Sequence, residues 1–123
     1  MAKLRIGGKD FPLVMTVGVL DDLAQAGYPI QDVPKFFSPA EKPLEEAIDN
    51  GIKLLHCLME AGQEAAAIRE GVEPMEIPER HTLRRLLTPG QVWGLCDAAI
   101  LASLSRTVEA APGKNPSAVT KSP

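Results

Sequence analysis

The side chains best suited to hold a metal or act as nucleophiles are His56, Cys57, His81 and Cys96. A tight metal site needs several such ligands at characteristic spacing. The chain has neither a Cys-x-x-Cys nor a His-x-x-x-His pair. His56 and Cys57 are neighbours, and neighbours on a helix point about 100° apart. A cysteine–histidine nucleophile pair would have to be assembled by the fold, because no spacing brings one together. A lone thiol on an apolar helical stretch serves as a small buried hydrophobe. Asp21 with Asp22, and Glu45 with Glu46, are adjacent rather than facing, which suits a solvated helix face better than acid–base work. Gly7-Gly8-Lys9 is too short in glycine for a phosphate loop, and Asp10 stands where Ser or Thr is needed. Pro112-Gly113-Lys114-Asn115 is no better as a nucleotide motif. The expectation is a chain with no catalytic residue, no cofactor and no metal.

Arg80, Arg84 and Arg85 precede a tight turn and another helix, an outline loosely like helix-turn-helix. The second helix, however, begins with Val92, Trp93 and Leu95 where polar base-reading residues belong. A solvated face accounts better for the arginines. A formal net charge of −3 gives no general attraction to nucleic acid or to an anionic membrane. Trp93 suits an interface anchor, but as the only tryptophan it fits first as the large aromatic of a core.

Those residues must be positioned by a chain of 123 residues, enough for one domain with a real core. Hydrophobic residues make up 45% but aromatics only 4%, so Leu, Ile, Val, Met and Ala must carry that core. Two scattered cysteines make no disulfide framework, which fits a reducing cytoplasm. No uncharged apolar run approaches the roughly 20 residues of a membrane span. Gly7 to Asp10 interrupts any secretory h-region, so a soluble intracellular protein is expected.

The pattern predicts an α+β, mostly α fold: a two-stranded antiparallel hairpin packed on a bundle of four to five helices. With Gly8 and Lys9 central in a type II′ turn, Ile6 pairs with Phe11, Leu4 with Leu13, and Arg5 with Pro12. All four apolar side chains then share one face, which something must cover. Pro12 marks an edge strand. The hairpin spans 3–16, and Thr16 caps a helix over 17–26. Pro29, Pro34, Pro39 and Pro43 forbid long regular structure from Tyr28 to Pro43. Ser38-Pro39-Ala40-Glu41 suits a single turn before a restart at Pro43.

A helix over 43–70 follows, with Leu44, Ile48, Ile52, Leu55 and Met59 on one face and Gly62 as a possible kink. A short helix over 78–87 carries Leu83, Leu86 and Leu87. Thr88 and Gln91 form a capping box with Pro89 between them, and Leu87 with Val92 makes a hydrophobic staple. The helix after them should run over 89–110 on Val92, Leu95, Cys96, Ala99, Ile100 and Leu104. One domain therefore covers 1–111, and the proline-rich 112–123 reads as a disordered tail.

Three pieces give the chain a resemblance to the tail assembly chaperones of long-tailed bacteriophages, prophages and gene transfer agents. The first is Ile6-Gly7-Gly8-Lys9-Asp10-Phe11-Pro12-Leu13, a short strand, a Gly-Lys turn and an aromatic-Pro-Leu strand. The second is Thr16-Val17-Gly18-Val19-Leu20 leading into an acidic amphipathic helix. The third is Leu86-Leu87-Thr88-Pro89 before a long alanine-rich helix and a tail with Asn115-Pro116. The Pro29–Pro43 connector and the Gly71–Arg80 segment depart from the family pattern. The resemblance implies a non-catalytic protein of the bacterial host cytoplasm that holds the tape measure protein while tail tube subunits assemble, with self-association also open. Phe11, Leu13, Met59, Trp93 and Leu95 are the expected partner-binding residues. The apolar surroundings of Leu55, Met59, Leu95 and Leu104 are expected to be mainly core. The competing readings are a small virion connector and a DNA-binding regulator using Arg80 to Arg85.

Overall fold

The structure is a computed structural model that describes residues 2–105. Strands β1 (Lys3–Ile6) and β2 (Lys9–Pro12) form an antiparallel hairpin. Five α-helices follow: α1 (Val17–Gln25), α2 (Val33–Phe37), α3 (Leu44–Glu70), α4 (Arg80–Leu86) and α5 (Pro89–Ser103), with a 3₁₀ turn at Ile30–Asp32. The fold is α+β and mostly α. The expected tail, 112–123, lies outside the described residues.

The hairpin keeps the expected apolar face but not the expected partners. Its turn is centred on Gly7 and Gly8, with φ of 58° and 80°. Two successive positive φ angles are what a type I′ turn requires, and that turn matches the twist of the strands. Leu4 therefore faces Phe11, Arg5 faces Asp10 and Lys3 faces Pro12. Each residue of β1 meets a partner two positions earlier than the sequence reading gave. Because side chains alternate with period two, that shift leaves Leu4, Ile6, Phe11 and Leu13 on one face. It also brings charges together: Arg5 Nη1 lies 2.9 Å from the Asp10 carboxylate and Lys3 Nζ 3.5 Å. The hydrogen bond from Arg5 holds the Asp10 carboxyl below its ordinary range. This exposed pair therefore persists until the pH falls below that range.

Helix α3 is the axis of the molecule. It packs against β2, α1, α2, α4 and α5, so it buries more than one face. Ile52, Leu55 and Met59 are buried as the periodicity predicts, but so are Ala47, Leu54, Leu58 and Ala61. Leu44, at the exposed start, is in solvent. Gly62 does not break the helix. An added Cβ there would lie 2.5 Å from the Pro12 carbonyl oxygen, so this glycine lets the second strand lie directly on α3. Val14 N–H donates to the Leu58 carbonyl at 3.3 Å, fastening the same contact. Gly51 has the same role towards α5, where an added Cβ would stand 2.6 Å from Val92 Cγ1. The helix ends at Gly71, which adopts the left-handed conformation that a C-terminal cap favours.

Two buried polar side chains tie connectors to this axis. Asn50 Nδ2 donates to the Phe36 carbonyl at 2.7 Å and anchors α2. Gln63 Oε1 accepts from Met75 N–H at 2.6 Å and anchors the 71–79 segment. The prolines of the first connector limit rather than forbid helix. Pro34 sits in the first turn of α2, where a missing N–H costs nothing. Ser38 Oγ accepts from Ala40 N–H, making the short turn before α3.

The cap signals hold at α1 and α5. Thr16 Oγ1 accepts from Val19 N–H at 3.3 Å. Thr88 and Gln91 form a complete capping box, each side chain accepting from the other's backbone at 3.3 and 2.9 Å. Two boundaries differ from the sequence reading. Helix α4 starts at Arg80, with Glu79 as its cap residue, rather than at Pro78. Helix α5, expected over 89–110, ends at Ser103, where Leu104 N–H closes on the Leu101 carbonyl at 3.2 Å, and 106–110 lie outside the described residues. Leu104, expected in the core, is exposed; it is the C-cap residue, one position past the last helical residue of α5.

Candidate partner-binding groove

Between β2, the last two turns of α3 and the end of α5 lies an open groove of about 490 Å³. One wall is the chain from Pro12 to Met15 as it leaves the hairpin. The second is the face of α3 that carries Gly62, Ala65, Ala66 and Arg69. The third is Ala99, Ala102 and Ser103 of α5. Spacings of three and four residues put each helical set on one face. Apart from Arg69 these helical positions are small, and a larger side chain at Ala66 or Ala102 would reach into the groove. Arg69 and Glu70 set charges of both signs at one end.

The residues that the sequence singled out for partner contact lie mostly inside. Phe11, Leu13 and Met59 belong to the hydrophobic core, where they are 3% exposed or less. Leu13 alone of the three also reaches the groove wall. Trp93 and Leu95 are half-buried and pack on the core. The Trp93 ring lies beside Gly51, and its Nε1 is buried with no acceptor among the described residues. It therefore works as an apolar wedge rather than a polar anchor. Small residues that sequence reasoning passed over line the groove instead: Gly62, Ala65, Ala66, Ala99 and Ala102. Their signal was present as small residues at helical spacing on two separate helices.

The second depression, about 330 Å³, is lined by Thr16, Asp22, Cys57, Glu60 and Glu64, among others. Burial raises the Cys57 thiol, and Glu60, Asp22 and Glu64 raise it further. Burial likewise pushes up the Cys96 thiol, which lies 3.6 Å from the Gly51 carbonyl oxygen. Both sulfurs are thus held as thiols, the poorly nucleophilic form. His56 faces Glu60 at 3.8 Å. Among the described residues no group of three or more His, Cys, Asp or Glu could hold a metal ion. Likewise, no helix there is long and apolar enough to cross a membrane.

The start of α5 turns Val92 into the core and half-buries Trp93. Compared with protein-family models, with curated proteins and with solved structures, the chain matches none.

Proposed function

We propose that this protein is a helix-binding assembly chaperone of the phage tail type, taking an apolar helical segment of the tape measure protein into the groove between the hairpin, α3 and α5. The observation that carries the reading is the groove's small-residue lining. Alanines on two helices, Ala65 and Ala66 of α3 and Ala102 of α5, let a third helix approach closely, and the backbone of Pro12 to Met15 closes one side. The apolar floor supplies affinity that is tolerant of sequence, which suits transient protection of a long helix. Charges of both signs at Arg69 and Glu70 bias its direction.

Co-expression with the long helical protein encoded in the same genome tests the reading. The expected result is a soluble complex, lost when Ala66→Trp and Ala102→Trp close the groove while the variant still melts cooperatively. A partner that stays equally insoluble with the unaltered chain overturns it, as does a complex indifferent to the closed groove.

A further inference from the structure

Helix α4 carries its charge on one flank. With Leu83 turned into the core, Arg80, Arg84, His81 and Arg85 follow one another around the remaining surface, and all are exposed. Arg80 and Arg84 are four residues apart, so these like charges stand side by side and repel. Lys53 of α3 extends the flank, because Arg84 Nη1 and Lys53 Nζ converge on the Asp49 carboxylate at 3.5 and 3.2 Å. One carboxylate thus answers for Lys53 and Arg84, and among the described residues none pairs with Arg80 or Arg85. The flank keeps an excess of positive charge on a protein whose formal net charge is −3.

From this we infer that the α4 flank is a docking surface for an acidic polypeptide segment, a helix with carboxylates one turn apart. Asp49 shows the arrangement on a small scale: a single carboxylate of α3 received between Arg84 of α4 and Lys53 one turn further along α3. A partner carboxylate beside Arg80, and another beside Arg85, would complete the pattern that Asp49 begins. Charge complementarity identifies the occupant. Duplex nucleic acid fits less well, since α4 has only seven residues and the start of α5 turns inward. An acidic segment also meets no penalty from the chain's overall negative charge at this site, because the local excess is positive and screening confines the interaction to about 10 Å at ordinary salt. The inference does not rest on the groove, which lies at the other end of α3.

Fluorescence anisotropy with a labelled alanine-based peptide carrying glutamate at every fourth position tests it, with a lysine counterpart and a labelled DNA duplex as controls. The expected result is binding of the glutamate peptide at low salt that weakens as salt is raised, with no binding of the lysine peptide. Arg80→Glu with Arg85→Glu should weaken binding by about tenfold or more with the melting temperature unchanged, since neither side chain is paired. Ala66→Trp in the groove should leave it untouched. Failure of the glutamate peptide to bind, equal binding of both peptides, indifference to charge reversal, or tighter binding of the duplex each overturns the inference.

Discussion

Between Gly51 and Met59, α3 buries Ile52, Leu54, Leu55, Leu58 and Met59. Between Glu64 and Glu70 the same unbroken helix leaves Ala65, Ala66 and Ala67 half-covered and Ile68 85% exposed. The backbone is the same and the neighbours overlap, since α5 runs along both stretches. Side-chain size makes the difference. Large branched residues in the middle fill the space between helices and leave nothing to bind. Alanines at the end hold the helix equally well but fill less, so the same pair of helices that seals the core also frames the groove. One element thus provides stability at its centre and a receptive surface at its end.

Truncating the sealed part should have the largest effect. Leu55→Ala removes a fully buried side chain and should cost about 2–5 kcal/mol in urea unfolding. A loss as small as that of a surface change would mean that the middle of α3 is not the core. Gly62→Ala tests the boundary between the two parts. Its Cβ would press on the Pro12 carbonyl, so strand and helix must separate, at a cost of about 1–3 kcal/mol. Ala66→Leu should have the smallest effect on stability, within about 0.5 kcal/mol, because the added atoms enter the groove. If Ala66→Leu destabilised as much as Gly62→Ala, the groove would be tightly packed space and the contrast between the two stretches would fail.

Much of this contrast was legible in part. The spacing of Ile52, Leu55 and Met59 named one buried face of α3 correctly, yet Leu54 and Leu58 were missed. A periodicity argument assumes one covered side, and α3 is covered by five elements. The apolar spacing of α5 likewise puts Leu104 in the core, but the helix has ended one residue before it and its side chain is exposed. Of the expected partner contacts, Phe11, Leu13 and Met59 are buried, because large apolar residues are the ones that a core takes up. The groove is marked instead by small residues, which carry little signal when read singly.

The sequence by itself determined the elements and most of their ends. Thr16, the Thr88–Gln91 box, the paired glycines at 7 and 8 and the prolines between Tyr28 and Pro43 act on backbone groups within a few positions. Their consequences are fixed before any tertiary contact forms. Even the apolar face of the hairpin was set locally, since alternation survives a two-residue shift in pairing. Only the tertiary structure decided which residues meet: the close approach of Pro12 to Gly62, of Val92 to Gly51, and the space left between Ala66 and Ala102. Those depend on how several helices share one limited volume. No local propensity encodes that volume, because it belongs to the packed arrangement as a whole.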